Sequence, residues 1–591
     1  MRPPAIIRTP NGPIEPLDSD RGSYTSFVEL GGRFVDLAEV RSRLAELQLD
    51  MVLGVLARIS AHHVRDGDKF FRPEYQGPYL AYAIADDFPL VLPNATTMYV
   101  PNRVPITGNR HLFVHEHGLA SLAQLAVLHC RTDRVTAELS LPDFGQICRL
   151  LLILNDHLFL KESVSESPTL AERRRFAVNS LYYYQFNQFS ADVSGQLALA
   201  RLHQLLTVYL PRYLPDVDAS VHDAIGISIE TYLMVAAFML AHAPSYSAGL
   251  NQTQSPWLSI DRFVSLVRKN AQEIRLVLER FSQSPNDFQR KRATDADPRE
   301  DIFDFEVLQQ RPLIEARPKQ MIWPVMSLFL RQILTLPLQV ISQLDQGTRA
   351  LGKAYEDYAH SLVERIGSGD NRGKWEPRRN HTVKSRTTGS AQVAGEIDSL
   401  LWRDGTTVVF EHKAGHLVLT LGSRATLRNA LGPTDEELQR LPAIPRKDGG
   451  AITNGLWQLV RIEPALDDSL TKRFGAAPKR VLSMITNLQS FEIDDRIRQI
   501  YLDPLLSAAS VRFPEKWSRT DWVGVAGLEA LAQLADDGRL DLLALLDGRT
   551  GSSGRFVRYL ADIFDGVPPD TKLFPVAQRL FATSHQRYFE P

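Results

Sequence analysis

Glu396-Ile-Asp-Ser-Leu-Leu-Trp-Arg-Asp-Gly-Thr-Thr-Val-Val-Phe-Glu-His-Lys413 is the most informative stretch of this 591-residue chain. Asp404-Gly405 signals a tight turn between two apolar runs, and the whole stretch therefore predicts a β-hairpin. The first strand should end near Trp402. The second should run through Val408 and the residues after it into Lys413.

Three charged side chains are expected to converge in this hairpin. Because side chains alternate along a strand, Glu411 and Lys413 should face one way, while Phe410 and His412 face the other. Strand pairing can bring Asp398 beside Glu411. Two carboxylates and one amine are costly to bury unless they pair with one another or bind a cation. The pattern favours such a site over a half-buried hairpin with a surface salt bridge.

Asp398 followed by Glu411-x-Lys413 resembles the signature of the PD-(D/E)xK nuclease superfamily, which has the restriction-endonuclease-like fold. The start of the motif, Gly395 to Asp398, is similar to the form found in Holliday-junction-resolvase-like and Mrr-like members. Ile397 stands where other members have a proline, which many members also lack. The resemblance covers roughly the third quarter of the chain.

This resemblance implies a metal-dependent hydrolytic site. Asp398, Glu411 and the backbone carbonyl of His412 would supply oxygen ligands to Mg²⁺, or to Mn²⁺ in its place. Lys413 would hold the attacking water and offset the negative charge that develops on the phosphate. The residues leave open whether one or two metal ions bind.

The resemblance also implies two more site residues. Glu356 lies on a predicted helix from Gly347 to Ile366, which precedes the first core strand, and Asp357 is the alternative acid there. Gln458 lies on a predicted helix after the Glu-x-Lys strand, where several members of the superfamily offer a polar residue.

A basic segment follows the first of these helices, from Gly367 to Gly389, and is expected to be a flexible loop beside the metal site. Its cations are Arg372, Lys374, Arg378, Arg379, Lys384 and Arg386. Such a loop predicts contact with a phosphate backbone, and a merely solvated loop is the alternative. The formal net charge of the chain is -2, so nucleic-acid binding would have to depend on a local basic surface of this kind.

The length predicts several domains and a multidomain fold class. Residues 1–117 form a mixed region, and residues 118–345 show the apolar periodicity of a helical recognition or regulatory domain. Residues 346–545 alternate strands and helices, which predicts an α/β restriction-endonuclease-like domain with a mixed sheet and an insertion at 415–450. Residues 546–591 are expected to be a helical appendage.

His111, His115 and His117 form a histidine cluster whose spacing could support zinc. No cysteine lies nearby, and His115-Glu116-His117 does not continue into the helical zinc-protease pattern. We therefore expect surface or partly packed histidines at these positions.

Several features predict a cytoplasmic protein without membrane contact. Cys130 and Cys148 lie in apolar, helix-like stretches and are expected to be buried thiols, as in a reducing compartment. The N-terminus lacks the apolar core of a signal peptide. The most apolar run, around residues 232–243, is too short to span a bilayer.

These patterns together predict a metal-dependent nuclease, expected to act on DNA. Its helical N-terminal half would recognise a target or a protein partner, or would form oligomers. By analogy alone, such an architecture suits a restriction or anti-phage defence effector. The alternative is a nucleic-acid-binding or scaffolding protein that retains the nuclease fold without cleavage. The intact Asp398, Glu411 and Lys413 set favours the nuclease.

Overall fold

The computed structural model describes most of the chain in separate stretches. These are residues 33–66, 114–135, 141–158, 195–248, 257–291, 305–387, 390–414, 451–488, 517–549, 556–564 and 566–590, together with residue 302 and short pieces of the first 112 residues. The predicted insertion at 415–450 lies outside the described residues.

Helices dominate the described part of the chain before residue 345, which confirms the prediction of a largely helical N-terminal half. They are α1 (Leu37–Leu44), α2 (Leu49–Asp66), α3 (Glu116–His129), α4 (Leu141–Leu158), α5 (Gly195–Gln204), α6 (Val217–Ile225), α7 (Ile229–Ala248), α8 (Ile260–Val264), α9 (Ala271–Arg280), α10 (Pro285–Lys291), α11 (Glu306–Gln310) and α12 (Met326–Gln343). Directly after α5, a π-helical turn (Leu205–Tyr209) leads into a 3₁₀ turn (Leu210–Arg212).

Short strands accompany these helices. They are β1 (Ile7–Thr9), β2 (Gly12–Ile14), β3 (Ser23–Tyr24), β4 (Thr97–Tyr99), β5 (Pro105–Thr107), β6 (His111–Leu112), β7 (Ser282–Gln283), β8 (Leu313–Arg317) and β9 (Gln320–Ile322). The last three form a small mixed sheet, with β7 and β8 parallel and β8 and β9 antiparallel.

A five-stranded mixed sheet organises the C-terminal half. Its strands, in spatial order, are β10 (Glu376–Thr387), β11 (Ser390–Arg403), β12 (Thr406–Lys413), β13 (Arg480–Asn487) and β14 (Trp517–Gly524). The β10–β11 and β11–β12 pairs are antiparallel, whereas the β12–β13 and β13–β14 pairs are parallel. The prediction of a mixed sheet in this half is confirmed.

The predicted hairpin is formed by β11 and β12. Asp404 and Gly405 connect the two strands with φ angles of 51° and 82°. Two consecutive positive φ angles define the turn that matches the twist of a hairpin, and Asp-Gly is a favoured sequence for it. The local sequence therefore specifies both the turn and the pairing register of the two strands.

The register of the hairpin decides which side chains meet. Ser399 pairs with Phe410, so Asp398 and Glu411 follow at the next position of the ladder. On its other side, Glu411 pairs with Ile485 of β13. Glu411 therefore lies on a central strand of the sheet and is fully buried.

Helices cover both faces of this sheet. The main covering helices are α13 (Gly347–Gly369), α14 (Ala451–Phe474) and α15 (Val525–Asp536). The helices that follow along the chain are α16 (Leu542–Arg549), α17 (Phe556–Phe564), a 3₁₀ turn (Thr571–Leu573) and α18 (Phe574–Phe589). Leu400 and Val409 pack into the cluster that contains α14, whereas Leu401 and Val408 pack into the cluster that contains α13 and α15. This alternation makes α14 one layer and the α13–α15 pair the other.

The prediction of a flexible loop at 367–389 is wrong, because most of this segment is strand β10. Asn380 has a φ angle of 49°, and the register shifts between Val383 and Lys384. These irregularities break the two-residue periodicity that would reveal a strand. The residues before β10 are also fixed, because the Trp375 Nε1–H donates to Asp370 Oδ2 at 2.7 Å.

Hydrophobic cores run across the predicted domain boundaries. One buried cluster joins Leu151 of α4 to Val409 of β12. The other joins Tyr232 of α7 to Leu351 of α13 and Leu482 of β13. Helix α18 packs against α5 and α7. The boundaries at residues 117, 345 and 545 therefore stay predictions.

His115 and His117 are fully buried at the start of α3, so the expectation of surface or partly packed histidines is wrong for them. The His115 ring caps the helix by accepting the Gly118 backbone N–H at 3.1 Å. Its other nitrogen lies 3.0 Å from Asn155 Oδ1. These contacts satisfy polar rings that would otherwise be costly to bury.

Two findings concern the setting of the chain. Cys130 and Cys148 are free and buried, as expected. Among the described residues, no single helix is both long and apolar enough to cross a membrane. Helix α6 together with residues Ile229–His242 of α7 passes that test only as a joined pair, which is bent by 57°.

Candidate active site

Asp398 and Glu411 form a buried acidic pair on β11 and β12. Asp398 is 8% exposed and Glu411 is 0% exposed. Asp398 Oδ2 accepts the backbone N–H of His412 at 2.7 Å. Glu411 Oε1 accepts a hydrogen bond from Lys413 Nζ, whereas Glu411 Oε2 is buried and has no hydrogen-bond partner. While both acids are ionised, this oxygen therefore has no donor in the interior, whereas a proton shared with Asp398 would satisfy it.

The electrostatics of Glu411 follow from this arrangement. Burial raises the pKa of Glu411 well above its usual value, and the neighbouring Asp398 carboxylate raises it further. Lys413 opposes both effects, through its charge and its hydrogen bond. Two close carboxylates in a poorly solvated place cannot both stay ionised without a counter-charge. Lys413 supplies one counter-charge, and a shared proton or a bound cation would offset the second carboxylate.

Lys413 is held between its own strand and helix α14. Its Nζ also donates to Gln458 Oε1 at 3.2 Å, and Gln458 Nε2 donates to the backbone carbonyl of Glu396 at 3.0 Å. Helix α14 can come this close because Gly395 has no side chain. A Cβ at that position would lie 2.6 Å from Ile462 Cγ2, one helical turn after Gln458.

Glu356 lies on α13 and faces the same charges. It forms an ion pair of 2.6 Å with Lys353. Burial raises the pKa of Glu356, Lys353 opposes this through a hydrogen bond, and the Asp398 carboxylate raises it further. The structure thus brings Glu356 into the electrostatic field of Asp398 and Lys413.

Asp357, the alternative acid on this helix, is engaged elsewhere. Its buried carboxylate accepts the Tyr213 hydroxyl at 2.8 Å and Arg212 Nη1 at 3.3 Å, and it also pairs with Arg379. Of the two neighbouring acids, Glu356 is therefore the one that faces the acidic pair.

The His412 side chain points to the opposite face of the sheet, as the alternation of the strand predicts. Its Nε2 lies 2.8 Å from Ser399 Oγ, and its Nδ1 lies 2.7 Å from Thr486 Oγ1. Ser399 Oγ also meets His360 Nδ1 at 2.8 Å, and Thr486 Oγ1 accepts the Tyr355 hydroxyl at 3.1 Å. Burial lowers the pKa of His412 well below its usual value. These five residues form a hydrogen-bond network, which continues from His360 Nε2 to Glu364 Oε1 at 3.4 Å.

The six predicted phosphate-binding cations differ in their partners. Arg372 pairs with Asp541, Arg378 with Glu376, and Arg379 with Asp357. Lys374 and Lys384 are exposed and have no ion-pair partner among the described residues. Arg386 lies in β10, opposite Ala391 of β11. Half of the predicted set is therefore tied to neighbouring carboxylates.

A metal ion can be tested against the residues present. In the described part of the chain, no group of three or more His, Cys, Asp or Glu side chains is placed to hold a metal ion. Asp398, Glu411 and the His412 carbonyl would form a sparse oxygen set. Such a set suits Mg²⁺, which keeps several waters and is usually bound by one or two carboxylates. The unsatisfied Glu411 Oε2 fits this role.

Sequence reasoning missed Arg212 and Tyr213, which contact Asp357 from the helical N-terminal half. It also missed the partners of the His412 ring. Arg212 lies 145 residues from Asp357, and Thr486 lies 74 residues from His412. No local pattern announces contacts at such separations.

No protein-family model, no curated protein and no solved structure matches this chain. The geometry of its own side chains is therefore the basis for assigning a function.

Proposed function

We propose that the protein is a metal-dependent nuclease that hydrolyses phosphodiester bonds, with DNA as its expected substrate. The observation that carries this proposal is the unsatisfied, buried Oε2 of Glu411 beside Asp398. The ion pair with Lys413 satisfies only Oε1 of this carboxylate. An oxygen left bare in the interior is costly, and a cation that binds there would offset that cost.

The order of elements supports a restriction-endonuclease-like core. Helix α13 precedes three antiparallel strands, β10 to β12, and α14 then leads to the parallel strand β13. Asp398 comes from the second of these strands, and Glu411 and Lys413 come from the third. The resemblance in the motif thus agrees with the place of its residues in the sheet.

The residues present divide the chemistry among them. Bound Mg²⁺ would neutralise charge on the scissile phosphate and lower the pKa of a water. Asp398 and Glu411 would hold the ion, and the His412 carbonyl would add a third oxygen. Lys413, fixed by Gln458, would orient the attacking water and donate hydrogen bonds to developing negative charge.

Glu356 supports the same site from α13. Its half-buried carboxylate, with Lys353 as counter-ion, would bind a second metal or a metal-bound water. The exposed Lys374 and Lys384 supply positive charge for the phosphate backbone.

The test is a cleavage assay on plasmid, linear and single-stranded DNA and on RNA, with Mg²⁺, Mn²⁺ or EDTA. We expect cleavage with Mg²⁺ or Mn²⁺ and none in EDTA. Asp398→Asn and Lys413→Ala should abolish it. Asp404→Asn is a matched control, since it removes a carboxylate from the same hairpin and Asn tolerates the positive φ of the turn.

Two outcomes would contradict the proposal. One is a wild-type protein that binds nucleic acid with either metal and cleaves none of these substrates, which would favour the non-cleaving, scaffolding alternative. The other is cleavage that Asp398→Asn and Asp404→Asn affect equally, which would point to a contaminating nuclease.

A further inference from the structure

The carboxylate of Asp357 gathers three side chains from two distant parts of the chain. Arg212 and Tyr213 come from the 3₁₀ turn after α5 and the residue that follows it, and Arg379 comes from β10. The Asp357 side chain is 4% exposed, whereas those of Arg212 and Arg379 are 55% and 33% exposed. A buried acid thus holds two arginines at the surface.

The charges at this cluster do not balance. Two guanidinium groups share one carboxylate, and the described structure shows no second acid on either arginine. Arg212 lies over the ring of Tyr209, 5.0 Å from its centroid, which fixes its position without adding a negative charge. One positive charge is therefore uncompensated on a half-exposed surface. Guanidinium groups held in this way are preorganised for phosphate oxygens.

Tyr213 adds an exposed aromatic ring. Its hydroxyl is tied to Asp357 at 2.8 Å, so the ring has a fixed position, yet the residue remains 38% exposed. Val208, on the preceding π-helical turn, is also exposed, at 47%. Single π-helical turns occur often at functional sites. Tyr rings usually bury their apolar face, so an anchored, exposed ring beside arginines suits a stacking partner.

The cluster lies next to candidate active-site residues along the chain, on the opposite face of the sheet. Asp357 follows Glu356 on α13, and Arg379 pairs in register with Ser399, the residue after Asp398. Because paired residues point to the same face, Arg379 lies on the His412 face of the sheet, whereas Glu411 and Lys413 face α14. A strand bound at the platform would pass the edge of the sheet at β10 to reach the acidic pair.

We propose that Arg212, Tyr213 and Arg379 form a platform that binds an unpaired nucleotide of the substrate. Its phosphate contacts the two arginines, and its base stacks on the Tyr213 ring. Stacking needs a free base face, which a continuous duplex does not present. The platform therefore selects single strands, flaps or frayed ends, and it gives the helical half a role in substrate binding. The inference rests on the proposed function, which supplies the hydrolytic site.

The test measures binding in an Asp398→Asn background, with a fluorescent single-stranded oligonucleotide and a blunt duplex of the same sequence. Tyr213→Ala removes the ring, whereas Tyr213→Phe removes only the hydroxyl that bonds to Asp357. Phe574→Ala is the matched control, because Phe574 is an aromatic residue of nearly equal exposure, 37%. Arg134→Ala serves as the control for Arg212→Ala, since Arg134 is 83% exposed.

We expect Tyr213→Ala to weaken single-strand binding about tenfold, the range of one base–aromatic stack, and to leave duplex binding within about twofold. Tyr213→Phe should retain most of the affinity. Arg212→Ala should weaken binding and lower its salt dependence. The two control variants should bind like the parent protein.

Three results would overturn the inference. They are a Tyr213→Ala protein with unchanged single-strand affinity, an equal loss for single strand and duplex, or an equal loss in Tyr213→Phe and Tyr213→Ala. The last would mean that the tyrosine only supports Asp357. These three outcomes concern binding, which is measured without cleavage. Failure of the proposed function would be seen separately, as an active-site motif that supports no cleavage.

Discussion

The two faces of the β11–β12 hairpin carry polar clusters that differ in one respect. On one face, His412, Ser399 and Thr486 satisfy each other and their partners on α13, all within 2.7 to 3.1 Å. On the other face, Glu411 retains a buried oxygen with no hydrogen-bond partner, beside a second carboxylate.

This difference in hydrogen bonding shows which cluster is structural and which is functional. Residue types alone do not show it. Both clusters are buried and polar, and both have strongly shifted pKa values. A network whose members are hydrogen-bonded to one another orders the fold. A cluster that leaves one charge unsatisfied has an energetic reason to bind something, and this is why we place the chemistry on the carboxylate face.

The sharpest way to break the comparison is to neutralise the carboxylate face. Asp398→Asn should reduce cleavage by at least about 100-fold, because the metal loses an anionic ligand and the charge on the transition state is less well offset. Without metal the same variant should melt at the same or a higher temperature than wild type, since it relieves repulsion with Glu411. Thermal denaturation in EDTA and in Mg²⁺ measures both effects.

Wild type should gain more stability from Mg²⁺ than the variant, because a ligand stabilises only the form that binds it. A clearly lower melting temperature for Asp398→Asn in EDTA would identify a structural salt bridge. In that case the polar clusters on both faces of the hairpin would be structural.

Lowering the pH tests the buried histidines of the N-terminal helices in a similar way. Burial lowers the pKa of His115 to about 4, while burial and the neighbouring His115 lower that of His117 to about 3. The unfolded chain keeps histidine pKa values of about 6.5, so below that pH the unfolded state binds more protons. The free energy of unfolding should therefore fall as the pH drops from about 6.5 towards 4, by up to about 1.4 kcal/mol per pH unit for each histidine.

Glu411 should act in the opposite sense, since its raised pKa lets the folded state take up a proton first. Denaturant titrations of wild type and His117→Gln across this pH range measure the slope. The variant should lose about one proton of pH dependence. His222→Gln is the matched control, because His222 is exposed, and its slope should stay that of wild type. Equal slopes of the unfolding free energy against pH in all three proteins would contradict the lowered pKa of His117.

One nearly isosteric substitution can remove a hydrogen-bond partner from the His412 face of the hairpin. Thr486→Val removes the hydroxyl that links His412 to Tyr355 and leaves two buried polar groups without that partner. The free energy of unfolding should fall by about 1–3 kcal/mol, while cleavage by the folded protein changes little. Denaturant unfolding and a cleavage assay on the same sample separate the two readouts. Loss of cleavage without loss of stability would indicate that the His412 face of the hairpin carries the chemistry.

The smallest effect concerns the cations near β10. Replacing Lys374 or Lys384 with Ala should lower the slope of log affinity against log salt by about 0.7 to 0.9 for each phosphate contact removed. Arg378→Ala should change it less, because Glu376 already neutralises that arginine. Binding titrations over a range of salt concentrations test this. A wild-type slope in Lys374→Ala and Lys384→Ala would show that the exposed lysines are merely solvated.

Much of this arrangement is readable from the sequence, because the hairpin is local. Asp404-Gly405 specifies the turn, and alternation then places Glu411 and Lys413 together on one face. The resemblance predicts Gln458 and Glu356, and the structure places Gln458 in contact with Lys413 and Glu356 in the field of Asp398.

The rest depends on packing between distant segments. Strand β10 is hard to predict from the sequence because of its charged residues and because the positive φ of Asn380 interrupts the strand pattern. The contact of Tyr213 with Asp357 joins the helical half to α13, and nothing near either residue signals it. The burial of His115 and His117 likewise follows from helices that pack on α3, whereas their spacing carries no information about depth.

The Asp404-Gly405 turn also sets the order in which the acidic pair can assemble. Asp398 and Glu411 belong to one hairpin, which needs only local contacts and can form within about 1–10 µs. Strand β13, which buries Glu411 from the other side, is synthesised more than sixty residues later, at Arg480–Asn487. The two carboxylates can thus first meet in water, where their repulsion is weak. They lose that water only when the parallel strand docks, so desolvation of the acidic pair belongs to a late step of folding.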